Sequence, residues 1–133
     1  MGVTPTDLTR DLDKEGRGWA IQKGLQYSNG FNKMCIRDIV IQTTNVGKVR
    51  GEHYHKKKTE WFLALRGKAD LLWRETNEIR VTREVLDADT PKLVRVDPNT
   101  CHKIVNNYSE DFLMAAFLSQ EDRIDKENCQ TEL

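Results

Sequence analysis

The sequence has no apolar run approaching the roughly 18 residues a bilayer span needs, and residues 1–18 are polar rather than signal-like. A soluble, cytoplasmic protein without a membrane partner is the expectation. Net charge is also missing. Lysine and arginine together number 21 and so do aspartate and glutamate, so no global field draws nucleic acid or an anionic surface. Cysteine is scarce: Cys35, Cys101 and Cys129 are an odd, widely spaced set with no C-x-x-C pair. That suggests neither a disulfide framework nor a thiolate zinc site, and leaves reduced, cytosolic thiols as the expectation. No stretch of about 11 residues carries convincing helical periodicity, and there is no solenoid repeat or low-complexity tract.

What is present is a series of short β-rich segments cut by turn residues. The candidate strands are residues 19–26, 34–43, 60–66, 68–74, 79–86, 92–96, 102–106 and 112–119. Between them stand Ser28-Asn29-Gly30, Asn45-Val46-Gly47, Glu75-Thr76-Asn77-Glu78, Asp89-Thr90-Pro91, Asp97-Pro98-Asn99 and Asn107-Tyr108-Ser109, which supply positive-φ or fixed-φ turn chemistry. Eight strands at this spacing predict one all-β domain over residues 1–133, a compact barrel or jelly roll over about 18–119. The charged, apolar-poor ends, 1–17 and 120–133, read as polar arms.

His53-Tyr54-His55 is the first chemically informative feature, because imidazoles at i and i+2 on extended chain share a face and can meet one cation. Glu60 can add a carboxylate from the following strand. For an isolated H-x-H the blander reading, two ordinary polar residues on a rim, is the commoner one.

The surroundings change that balance. Gly47, His53, His55, Glu60 and Gly67 fall on the pattern G-x5-H-x-H-x4-E-x6-G, which resembles the first motif of the cupins at every specified position. Pro98, His102 and Asn106 resemble the second cupin motif, although the family glycine between proline and histidine is absent and the spacing is one residue short. The chain's three histidines all fall at motif positions. The resemblance implies a cupin jelly roll with His53, His55, Glu60 and His102 as ligands of one divalent transition metal ion: zinc, iron, nickel, cobalt or manganese.

Arg50-Gly51-Glu52-His53-Tyr54-His55 with Lys58 ahead of Glu60 is similar to small cupins of deoxysugar and capsular-polysaccharide biosynthesis that isomerise or epimerise keto-sugar nucleotides. Asp13 to Gly18 and Tyr108 to Asp111 add short matches to the same enzymes. Metal-independent ketoisomerases of this group commonly carry glutamine at the position of Glu60 and use histidine as acid or base, so Glu60 with His102 favours the metal-binding branch. The expected partner is a small molecule, a sugar nucleotide. An iron-dependent dioxygenase and a non-catalytic sugar-binding module are the competing classes.

No catalytic base is identified. Tyr27, Tyr54, Lys58 and Lys103 are the candidate proton carriers. Arg37, alternating with Cys35, Ile39 and Ile41, is a candidate phosphate clamp if that face lines the barrel, and Arg50 a second. Lys56-Lys57-Lys58 can attract the diphosphate of a sugar nucleotide, although a solvated turn of three lysines is the commoner reading. Phe62 and Ala64 share the face of Glu60, and Ile104 and Asn106 that of His102, so Phe62 and Asn106 complete the substrate-binding candidates. Trp61, Leu63 and Leu65 face the other way, toward a second sheet or a second subunit, and a homodimer is expected.

Overall fold

The computed structural model describes residues 2–21, 29–31, 33–120, 126–129 and 133. Among these residues there is no α-helix; the regular structure consists of twelve strands, β1 (Val3–Asp7), β2 (Asp11–Leu12), β3 (Trp19–Ala20), β4 (Asp38–Thr44), β5 (Val49–His55), β6 (Glu60–Arg66), β7 (Lys68–Glu75), β8 (Thr82–Asp87), β9 (Lys92–Val96), β10 (Thr100–Val105), β11 (Phe112–Leu118) and β12 (Lys126–Asn128). They form two five-stranded antiparallel sheets, in the orders β1-β9-β6-β11-β4 and β12-β5-β10-β7-β8, with β2 and β3 as a separate hairpin.

Strand alternation explains how the sheets meet. In the first sheet Phe62, Val94, Val96, Met114, Ala116 and Leu118 point inward; in the second, Ala69, Leu71, Leu86 and Ile104 do, and together they form one buried cluster. The result is the jelly-roll β-sandwich expected of a cupin. Trp61, Leu63 and Leu93 lie on the opposite face of the first sheet, where Leu8, Phe31, Ile36 and Phe117 pack against them. Phe31 meets the rings of Trp61 and Phe117 edge-on, and the Trp61 indole N–H donates to the Asn29 carbonyl. The chain's own N-terminal half thus covers the Trp61 and Leu63 face. Ile39 and Ile41 on the edge strand β4 stay 58% and 60% exposed.

The expected strands 60–66 and 92–96 match β6 and β9 residue for residue. Others differ. β4 begins at Asp38 rather than residue 34, and β8 at Thr82 rather than 79, with Ile79 91% exposed. Of the expected strand 19–26 only Trp19 and Ala20 pair; residues 22–26, like Tyr27, lie outside the described residues. The N-terminal arm is partly structural, because β1 extends the first sheet by pairing with β9 from Val3↔Val96 to Asp7↔Lys92. The reduced-thiol expectation is corrected: Cys101 and Cys129 form a disulfide, Cα atoms 6.0 Å apart, while Cys35 is free and exposed. Topology brings together two cysteines that are 28 residues apart in sequence, which spacing alone does not reveal.

Candidate active site

β5, absent from the expected strands, carries two of the histidines, and its register positions them. Opposite β10, His53 pairs with His102, yet Gly51 pairs with Lys103, so Glu52 is an extra residue in a β-bulge. Glu52 adopts φ 71° and Gly51 φ 102°. A Cβ on Gly51 would stand 2.9 Å from the His102 carbonyl oxygen and 3.1 Å from the Lys103 Cα, so only glycine fits there without displacing β10. The bulge also shifts the side-chain alternation by one. Arg50 pairs with Ile104 and shares its inward face, whereas unbroken alternation from His53 would turn Arg50 outward.

Four side chains meet where β5, β6 and β10 converge. Nε2 of His55 lies 3.0 Å and Nε2 of His102 3.3 Å from the same Glu60 oxygen, Oε1. The His53 ring centroid is 4.9 Å from each of the other two imidazoles. One ligand atom from each of His53, His55, Glu60 and His102 falls within 4.8 Å of all the others. Nδ1 of His102 is 2.9 Å from the Thr100 carbonyl oxygen, to which it donates a hydrogen bond, and this turns Nε2 toward Glu60.

The set is buried except for His53, which is partly exposed. Burial alone would raise the Glu60 carboxyl, but hydrogen bonds from His102 and His55 overcome it and hold Glu60 well below the usual carboxylate range. Burial alone would likewise depress His102; its contact with Glu60 reverses the sign and raises it. Three imidazoles and a carboxylate converging in this way fit a borderline divalent metal such as zinc or iron.

The loop before His102 shows how the second motif works without its glycine. Asn99 takes the left-handed conformation, φ 61°, which asparagine tolerates better than most residues. Its N–H donates to the His55 carbonyl at 2.6 Å, and its own carbonyl accepts from the Thr76 N–H.

His53, Glu60 and His102, three of the four, floor a cavity of about 380 Å³ that is also lined by Val40, Gln42, Val49, Arg50, Gly51, Phe62, Ile104 and Ala116; His55 is buried outside that lining. Apolar walls are thus combined with polar groups at the floor and at Gln42 and Arg50. The expected Phe62 and Arg50 are both part of it; the Arg50 Nε also donates to the Thr43 carbonyl. Arg37 is not. It precedes β4 and is exposed, and it is Val40 and Gln42, not Ile39 and Ile41, that face inward. Asn106 is fully buried away from the lining. Its amide donates to the Thr44 and Glu110 carbonyls, and its side-chain oxygen accepts from the Tyr108 N–H. It staples loops rather than facing a ligand.

Among the described candidate proton carriers none lines the cavity: Tyr54 alternates away from His53 and His55, and Lys103 is paired with Glu52; Tyr27 lies outside the described residues. The lysine turn is not uniformly solvated, since Lys56 and Lys57 are exposed but Lys58 is fully buried. Gln42 is a polar cavity residue the sequence did not offer; the apolar Val40, Val49 and Ala116 are others. Both faces of β4 alternate apolar side chains, so period alone left its orientation open.

The family model described as Polysaccharide biosynthesis C-terminal domain matches residues 32–131. No curated protein matches the chain. Among solved structures, a dTDP sugar isomerase from Desulfovibrio desulfuricans superposes with a TM-score of 0.80 at 16% identity, over 96% of this chain and 83% of that one. ChmJ, a 3'-monoepimerase from Streptomyces bikiniensis in complex with dTDP-quinovose, gives 0.77 at 14% identity, over 96% and 69%. CapF, a capsular polysaccharide assembling protein from Staphylococcus aureus, gives 0.68 at 18% identity over 93% of this chain, which spans only 34% of CapF. At such identities the likeness is one of fold.

Proposed function

This chain belongs to the polysaccharide biosynthesis C-terminal domain family, and we propose that it isomerises or epimerises a keto-sugar nucleotide in a cavity floored by His53, Glu60 and His102, with His55 completing their cluster. The observation that carries this reading is the convergence of those four side chains, three of them lining a cavity that also takes in Arg50. The fold neighbours that act on dTDP sugars support the substrate class. One divalent transition metal held by the four residues would supply polarisation of a keto oxygen, which acidifies the neighbouring C–H.

The chain's own groups do the rest. Val40, Phe62, Ile104 and Ala116 pack against the sugar face and exclude water. Arg50 reaches the diphosphate, where its planar fork matches phosphate oxygens. Glu60 holds the Nε2 atoms of His55 and His102 in place, and the Thr100 carbonyl fixes the His102 tautomer. The homodimer belongs to the same proposal.

A second allocation has its own support. Among the cavity-lining residues, the titratable groups are Arg50, His53, Glu60 and His102; Glu60 and His102 are engaged with each other, and His53 is the one partly exposed member of the cluster. In a metal-free site His53 is therefore the group placed to carry a proton between adjacent sugar carbons.

Elemental analysis of untagged protein, together with deuterium uptake into a dTDP-linked 4-keto-6-deoxy sugar in deuterium oxide, tests both. Stoichiometric metal lost in a His53→Ala, His102→Ala double variant, with uptake abolished by chelation, supports the metal reading. Uptake that survives chelation and is lost in His53→Ala supports the base reading. No uptake under either condition, with the nucleotide still bound, overturns catalysis and leaves a sugar-binding module.

A further inference from the structure

We infer that the Cys101–Cys129 disulfide is a thiol-cleavable latch that fastens the C-terminal strand β12 to the histidine-bearing strand β5. This inference stands independently of the metal or the reaction assigned to the cavity. β12 pairs along the ligand segment itself, Lys126↔His55, Glu127↔Tyr54 and Asn128↔His53. Just beyond it the Cys129 N–H donates to the Glu52 carbonyl at 3.2 Å, the bulged residue that sets the direction of His53. Cys129 then crosses β5 to reach Cys101, which adjoins His102 but points to the outer face of its sheet.

Among the described residues little else holds β12. It has three residues, the Glu127 and Asn128 side chains are exposed, and it contributes nothing to either apolar cluster. The Glu127–Lys56 ion pair, at 3.4 Å, joins side chains 46% and 58% exposed, a pair that contributes little in water. A strand of three residues whose Glu127 and Asn128 side chains are exposed does not persist on backbone pairing alone. The disulfide is what makes it permanent, and without it β5 becomes the sheet edge.

The geometry also sets the chemistry of release. Cys129 is partly exposed, whereas Cys101 is fully buried, so a reductant meets the Cys129 sulphur first. A thiolate of a dithiol attacks Cys129 Sγ, the Cys101–Cys129 bond breaks, and Cys101 leaves as a thiolate that takes up a proton. The reductant's second thiol then attacks the mixed disulfide and releases Cys129 as a thiol. Two electrons pass from the dithiol, which leaves as its disulfide, to the protein. The attack proceeds on the outer face without entry to the cavity.

Hydrogen–deuterium exchange of the full chain, before and after dithiothreitol, tests the latch. Iodoacetamide labelling of the unfolded, unreduced protein should mark Cys35 alone, and all three cysteines after reduction. Reduction should accelerate exchange in the peptide covering residues 49–55 by roughly tenfold or more, while peptides from β6 and β11 stay protected. Cys129→Ser should reproduce that pattern without reductant. Three alkylated cysteines before reduction, unchanged exchange in residues 49–55 under both conditions, or loss of protection in every strand at once would each overturn it. The last would make the disulfide a staple of the whole fold.

Discussion

Gly51→Ala separates two costs that the β5 bulge imposes. At φ 102° an alanine occupies a backbone region disfavoured for L-residues, which costs about 1–2 kcal/mol. Its Cβ would also lie 2.9 Å from the His102 carbonyl oxygen, and forcing a packed backbone apart adds about 1–3 kcal/mol. Gly47→Ala is the matched control, since Gly47 has φ 79° but a Cβ there would meet nothing within 4 Å; only the first cost applies. With an unfolding entropy of about 2.1 cal/mol/K per residue, the 133-residue chain loses about 3–4 °C of Tm per kcal/mol. Thermal unfolding should therefore place Gly47→Ala about 4–7 °C below wild type and Gly51→Ala about 7–18 °C below it. The displaced β10 should also weaken metal affinity by about tenfold in Gly51→Ala only, through His102. Equal Tm losses in the two variants would refute the close approach of β5 to β10.

Asn106→Ala removes two buried donations and one acceptance, so urea denaturation should register a loss of about 3 kcal/mol; Asn106→Asp should be at least as damaging, because a carboxylate would face the Thr44 and Glu110 carbonyls. Arg50→Ala should raise KM by about 10- to 100-fold, the size of a lost charge-assisted hydrogen bond, while the exposed Arg37→Ala leaves KM within about twofold. Stability of chelator-treated protein should depend on pH through the buried pair. Glu60, held low, stabilises above its ordinary 4.5 and loses this only in strong acid; His102, held high, stabilises fully below its ordinary 6.5 and loses this as pH rises through its raised folded value. Tm measured against pH should thus be greatest between those two values, and Glu60→Gln should flatten the profile.

The metal-motif residues were legible because their spacing is a property of the local chain: His53 and His55 share a face on any extended strand, and Glu60 opens the next one. The apolar interior followed from alternation in β6, β9 and β11. What alternation could not supply was any interruption of itself. The extra residue at Glu52 inverts the orientation of Arg50, and no local signal but Gly51 marks it. β4 carries apolar side chains on both faces, so alternation left open whether the face of Arg37 lines the barrel; Val40 and Gln42 line it, and Arg37 is exposed. Asn106 sits at a motif position and is polar, yet its partners come from Thr44, Glu110 and Tyr108, contacts that only the tertiary fold creates. The disulfide escaped for the same reason.

The Asn99 turn ties the two ligand strands to one another. Its N–H is fastened to the carbonyl of His55 and its chain leads through Thr100, whose carbonyl holds the imidazole of His102. Pulling on the 97–99 loop therefore drags both histidines in the same direction, and Glu60 follows through Oε1. A substitution in that loop is therefore felt at His55 and His102 together, through one hydrogen bond on each side of the turn.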